Sequence, residues 1–135
     1  MLIDKVKKFS NMELGLNCSE IMLYSANEEY ELNLEEKAFK LMAGLGGGMF
    51  VESVCGAVTG GVAVIGAVFT NNKCSDSEKV IELTQEFVNT FKERLGSYNC
   101  DYLRPKYSDE IKGCEKIVFV AAEILDNIVR REFNK

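Results

Sequence analysis

Apolar residues along the chain recur at intervals of three and four rather than in strict alternation, a pattern that predicts helices. A short amphipathic helix is predicted around Lys5–Phe9. Asn17 then reads as an N-cap with Glu20 three residues on, a capping-box pairing that starts a helix running from Cys18 to about Glu29. A second cap is predicted at Asn33, with Glu36 three residues later and Gly44 as the stop. Ser75, followed by Glu78, is predicted to cap a long helix. Its buried stripe is Val80, Leu83, Phe87, Phe91 and Leu95, with Val88 beside it and Gly96 ending it. A short turn or helix opens after Asn99. The last helix is predicted from near Ser108 to about Phe133, with Ile111, Cys114, Val118, Ala121, Leu125 and Ile128 on its inward seam.

The middle of the chain differs. Gly46, Gly47 and Gly48 predict a hinge or tight turn, and Val51–Phe69 beyond them is rich in Gly, Ala and Val. Its uncharged part, Val54–Phe69, falls short of the roughly 20 residues needed to cross hydrocarbon. It is therefore expected to be a buried helix whose small residues (Gly56, Gly60 and Ala63, or Ala57 and Gly61) let neighbours approach, and not a membrane span. A buried strand over Val62–Phe69 is the minority alternative. Each glycine costs a helix interior about 1 kcal/mol, so this many call for a packing or cofactor reason. The fold expected is all-α: a compact single-domain bundle of five to six helices over residues 1–135, with a Gly-rich buried helix.

Charge and composition remove several functions. The net charge is −5 over 135 residues, which disfavours contact with a phosphate backbone, so no nucleic-acid partner is expected. Lys5, Lys7 and Lys8 read as a solvated helix face. Glu28, Glu29, Glu31, Glu35 and Glu36 form an acidic patch that is solvent-facing, or else a docking surface. There is no histidine, which removes Ser–His–Asp and Cys–His hydrolysis, His-ligated zinc and His-ligated haem. The glycine run lacks the G-x-x-x-x-G-K-[ST] pattern and any βαβ context for nucleotide binding.

Five cysteines remain: Cys18, Cys55, Cys74, Cys100 and Cys114. The N-terminal residues lack the character of a secretory signal, so a cytoplasmic, reducing setting is expected, and an odd count there argues against a disulfide framework. No C-x-x-C occurs. Cys18 and Cys100 directly follow Asn17 and Asn99 and would occupy first helical positions, where free N–H groups and the helix dipole should lower a thiol pKa. Cys55, near the start of the Gly-rich helix, is expected in a comparable setting. Cys114 is expected about two turns into the last helix, on its buried seam. Cys74 is expected in an exposed loop and is treated as incidental.

Asn17-Cys18-Ser19, Gly44-Leu45-Gly46-Gly47-Gly48-Met49 and Cys55-Gly56-Ala57-Val58-Thr59-Gly60 form a pattern together. Cys100 with Leu103, and Cys114 leading into Val118, Ala121, Ala122, Glu123, Ile124 and Leu125, extend it. From about Asn17 to Leu125 the chain resembles the redox-active protein family named for its C…CGAxxG…C…C cysteines. The resemblance implies four functional cysteines, Cys18, Cys55, Cys100 and Cys114, and leaves Cys74 outside. The same domain type resembles part of the split-Soret cytochromes, where an iron–sulfur centre accompanies haem. With neither C-x-x-C-H nor histidine here, only the four-thiolate half carries over.

Two readings of function follow. In the first, the four cysteines are redox-active: ligands of a [2Fe–2S] or [4Fe–4S] cluster serving electron transfer to an unidentified redox partner, or reversible thiol/disulfide centres. Gly46, Gly47, Gly48, Gly56 and Gly60 would bring backbone N–H groups to the sulfurs. In the second, the chain is a non-catalytic helical module that binds a transporter or another protein, its cysteines structural. Whether it is an enzyme stays open, and the small-residue helix leaves room for a homodimer.

Overall fold

Leu2 and Val6, one helical turn apart and both fully buried, seat the first helix, α1 (Leu2–Asn11), on the rest of the chain. The computed structural model covers Met1–Lys135 and is all-α, with seven α-helices, more than the five to six expected. Helix α2 (Cys18–Glu29) begins where the sequence places it. Asn17 Oδ1 accepts from the Glu20 N–H at 2.9 Å, and Glu20 Oε1 accepts from the Asn17 N–H at 2.9 Å.

The next helix differs from expectation. Asn33 does not cap it: Asn33 sits in the left-handed region (φ +53°), and α3 (Glu36–Lys40) starts after Glu35 and lasts one turn. Nor does a helix begin at Val51. The glycine run leads into a left-handed turn described below, and α4 (Gly56–Phe69) starts after Cys55. No strand replaces it at Val62–Phe69. Ser75 lies in a single 3-10 turn, Cys74–Asp76, and α5 (Glu78–Leu95) starts after Ser77. The Ser77 hydroxyl is taken up within that turn, donating to the Lys73 carbonyl at 2.7 Å and accepting from the Asn71 N–H at 2.9 Å. Gly96 then ends α5 with φ +91°.

Helix α6 (Cys100–Tyr107) is short and carries Pro105 inside it. Helix α7 (Glu115–Phe133) begins seven residues later than expected. Asp109 causes the delay: its carboxylate accepts from the backbone N–H groups of Ile111 and Lys112, at 2.9 and 2.5 Å, and Gly113 turns the chain with φ +58°. Ile111 is therefore 92% exposed in a loop, not on the seam, whereas Val118, Ala121, Leu125 and Ile128 are buried as expected.

The glycines of α4 have packing reasons. A Cβ on Gly60 would stand 2.8 Å from the Ser19 carbonyl oxygen and 2.8 Å from Met22 Cβ, so α2 and α4 touch almost backbone to backbone. On the neighbouring face a Cβ on Gly61 would strike the Phe87 ring of α5. Gly60 and Gly61 are thus consumed by packing inside the chain. At 14 residues α4 is no membrane span, and no helix is long and apolar enough to cross a membrane.

Charged side chains lock the outer helices. Asp126 of α7, only 2% exposed, accepts from the Leu2 N–H (3.2 Å), the Tyr30 hydroxyl (2.7 Å) and Arg130 Nε (3.1 Å). Desolvation and this carboxylate push the Tyr30 phenol well up, so it stays a donor. Arg131 clasps both oxygens of Glu86, at 2.7 Å each, tying α7 to α5. Part of the acidic patch is paired within the chain: Glu28 with Lys8 (2.6 Å) and Lys5 (3.6 Å), Glu29 with Arg130 (3.2 Å). Glu31, Glu35 and Glu36 stay exposed.

The α2–α4 contact yields a paired prediction. Gly60→Ala should destabilise the protein by about 1–2 kcal/mol, because overpacking outweighs the gain of roughly 1 kcal/mol in helix propensity. Gly66→Ala in the same helix, whose Cβ would meet only Thr70 Oγ1 at 3.9 Å, should stabilise it by up to about 1 kcal/mol. Urea denaturation of the two variants checks the opposite signs; equal signs would refute the close contact.

Candidate redox site

Each of the four pattern cysteines stands at the start of a helix. Cys18 and Cys100 are the first residues of α2 and α6, as expected. Cys55 and Cys114 hold the cap positions of α4 and α7. Cys114 is thus not two turns into the last helix; the Asp109 loop has moved the helix start onto it.

Local packing brings the four starts to one place. Gly56 lets α4 begin against α2, since a Cβ there would lie 3.2 Å from Cys18 Cβ and 3.1 Å from the Ser19 nitrogen. The segments before α4 and α6 pair through one antiparallel bridge, Val54 with Asn99. In it the Cys55 N–H donates to the Tyr98 carbonyl (2.8 Å) and the Cys100 N–H to the Ser53 carbonyl (2.6 Å), so two buried cysteines are held by backbone alone. Asn99 makes no side-chain cap; this bridge does the positioning. Cys114 completes the set beside Cys18, the two opening onto one cleft. Each of the four sulfurs lies close enough to act electrostatically on the other three. All are free thiols, and no three Cys, Asp or Glu side chains converge as ligands on one metal ion.

The glycine run wraps this cluster. Gly47, Gly48, Met49 and Phe50 all have φ between +56° and +66°, a complete turn of left-handed backbone. For an L-residue this costs on the order of 1–2 kcal/mol, so Met49 and Phe50 are strained there. Gly48 must be glycine on a second count: a Cβ would stand 2.9 Å from Cys100 Cβ and strike the Ser53 nitrogen. Gly46 and Gly60 face protein neighbours, Asn17 for the one and Ser19 and Met22 for the other. Gly47 and Phe50 line an open cleft of about 1090 Å³ onto which Cys18 and Cys114 also open. Cys55 and Cys100 lie beneath, 4% and 6% exposed.

Residues 16–128 match the family described as "Putative redox-active protein (C_GCAxxG_C_C)". The chain belongs to this family. Neither a curated protein nor a solved structure matches it. In this member Cys18, Cys55 (of Cys55-Gly56-Ala57-Val58-Thr59-Gly60), Cys100 and Cys114 stand on the four helix starts, while Cys74 sits apart in its exposed 3-10 turn.

Electrostatics within this family member separate the four thiols, and not as their helix positions alone predict. Cys18 is pushed well up by its hydrogen bond to Cys114 and by burial. Burial raises Cys55 to about 11, although the Ala57 and Val58 N–H groups at the start of α4 face its sulfur and pull the other way. Burial also raises Cys100, against the pull of Arg104. The expected lowering at Cys18 and Cys100 is thus overturned: the Cys114 neighbour together with burial prevails over the helix end at Cys18, and burial prevails at Cys100. Cys114 goes the other way, lowered to about 6 by the Cys18 thiol and the Arg104 guanidinium. Arg104, missed in the sequence, was signalled by its place one turn beyond Cys100 on α6.

In reduced, metal-free protein Cys114 should therefore be mainly thiolate above pH 6. Its iodoacetamide labelling should rise through a midpoint near 6 and plateau by about pH 7, with Cys55 unreactive until strongly alkaline pH. Removing the donor in Cys18→Ala should move the Cys114 midpoint up towards the ordinary thiol value of about 8.5. Peptide mass spectrometry across a pH series reads both, and a wild-type Cys114 midpoint near 8.5 would count against the assignment.

Proposed function

We propose that Cys18, Cys55, Cys100 and Cys114 form one redox centre, in its best-supported form the ligand set of an iron–sulfur cluster serving electron transfer. The observation that carries this reading is the convergence of four helix N-termini with a cysteine at each. A tetrad of thiolates is costly to assemble in a buried place, and four positive helix ends oppose that cost. The residues fit such a group on three counts. Four thiols meet the requirement of either common cluster type. Bridging sulfides hold cluster ligands further apart than the ligands of a single ion, in keeping with four mutually close sulfurs that do not converge on one point. Gly48 and Gly56 leave space beside Cys100 and Cys18 that any side chain would fill.

Bound there, a cluster would supply one-electron transfer at a potential set by its surroundings. The chain's part is to hold Cys55 and Cys100 rigidly through the Val54–Asn99 bridge, to aim the Ala57 and Val58 N–H groups at a ligand sulfur, and to keep water from the two buried thiols. A partner would reach the centre over the Cys18–Cys114 side.

One observation favours a second reading: the hydrogen-bonded Cys18–Cys114 pair, one sulfur activated and the other protonated, facing the cleft. Here the Cys114 thiolate would attack one sulfur of a disulfide substrate, and the other would leave as a thiolate that takes the Cys18 proton. Cys18 would then attack Cys114, forming their disulfide and releasing the second thiolate. Two electrons pass from the pair to the substrate.

Anaerobic purification decides between them. The cluster reading expects brown protein with iron and acid-labile sulfide, and loss of most bound iron in Cys18→Ser, Cys55→Ser, Cys100→Ser and Cys114→Ser but not in Cys74→Ser. Colourless protein that takes up no iron on anaerobic reconstitution, yet forms a Cys18–Cys114 disulfide with mild oxidant, would replace it with the thiol reading.

A further inference from the structure

Arg104 is the cation that acts on the thiols. It stands one helical turn beyond Cys100 and lines the cleft together with Cys18 and Cys114, and it pulls the Cys114 thiol down. Its other contact is Glu52, 3.8 Å away, and Glu52 is itself held in the left-handed region (φ +58°) at the end of the strained turn. Both partners of this ion pair are about half exposed or more, so the pair alone stabilises little. Its consequence lies at the sulfurs, where Glu52 and Arg104 act on Cys100 with opposite signs.

We propose that Arg104 is a positioning residue of the redox centre, holding Cys114 in place and biasing the centre towards its reduced, more negatively charged state, with Glu52 restraining that bias. The inference rests on the four cysteines being a redox centre, and it is drawn for the Cys18–Cys114 pair of the metal-free protein, which it takes to be able to close to a disulfide. A fixed positive charge beside the sulfurs favours whichever state carries more negative charge there, and in thiolate chemistry that state is the reduced one. Arginine suits the task because it stays charged at any working pH and presents several donors, one face to a sulfur and another to a carboxylate.

The test equilibrates metal-free protein with mixtures of reduced and oxidised dithiothreitol, traps thiols with acid and alkylating agent, and counts them by mass. The exchange is balanced: the Cys18 thiol and Cys114 thiolate form one disulfide bond, while the cyclic reagent takes up the two electrons and the Cys18 proton to open to a thiol–thiolate, which becomes the dithiol by taking a second proton from solvent. Arg104→Gln should shift the pair towards the disulfide by about tenfold, equal to about 30 mV for a two-electron couple. Arg104→Lys, which keeps the charge, should recover most of that shift, and Glu52→Gln should move the balance the opposite way. Opposite shifts from the two members of one ion pair exclude a merely structural effect, and Glu52→Gln carries the test if Arg104→Gln fails to fold. A wild-type couple left unmoved by Arg104→Gln and Glu52→Gln would overturn the inference. So would a wild-type pair that forms no disulfide at any ratio. Neither result alters the iron and sulfide content of anaerobic protein, so the cluster reading stands or falls separately.

Discussion

The closeness of α2 and α4 is the constraint from which the rest of the site follows. Where Gly60 meets Ser19 and Gly56 meets Cys18, no side chain separates the two helices, and their first residues arrive side by side. That places Cys18 and Cys55 together before any other element is considered. The Val54–Asn99 bridge then fixes Cys100 relative to Cys55 through backbone hydrogen bonds, which no side-chain motion can loosen. Cys114 arrives last, on a helix whose seam of Val118, Ala121, Leu125 and Ile128 packs into the common core. The glycines that sequence composition singles out are explained first by this packing, and the space beside the sulfurs is its by-product.

What could be read from the sequence depended on range. Local signals were legible: the Asn17–Glu20 capping box, the Leu83–Phe87–Phe91 stripe, the Gly96 stop and the buried seam of the last helix each rest on contacts within one or two turns. The four cysteines that stand at helix starts could also be picked out from the fifth through their pattern. Where a side chain competed for backbone N–H groups the reading failed, as at Asp109, which displaced the start of α7 and put Ile111 in solvent. Ser77 similarly displaced Ser75, and a string of left-handed residues displaced the expected start at Val51. Such features depend on which local hydrogen bond wins, a balance that hydrophobic spacing does not report. Thiol acidity failed for a different reason: helix position is local, but the Cys114 neighbour that, with burial, raises Cys18, and the burial that raises Cys55 and Cys100, belong to the whole fold.

The four thiols form two layers. Cys55 and Cys100 are buried and tied through their own backbone, while Cys18 and Cys114 reach the cleft and are coupled through their side chains. The inner layer has fixed geometry and little contact with water; the outer layer has the one activated sulfur and Arg104 beside it. Function in either proposed form draws on both properties, rigidity below to keep reorganisation small and access above for exchange with a partner.

The left-handed turn has a consequence for how this surface could change over time. At Met49 and Phe50 the backbone would be relaxed by glycine, so selection for stability alone would strip both side chains away. Phe50 is nevertheless a large ring, 69% exposed at the lip of the cleft, where burial gives little in return. Stability and surface chemistry therefore pull in opposite directions at this position. A lineage that keeps an aromatic residue there, against the easier choice, is being held to it by what meets the outside of the protein.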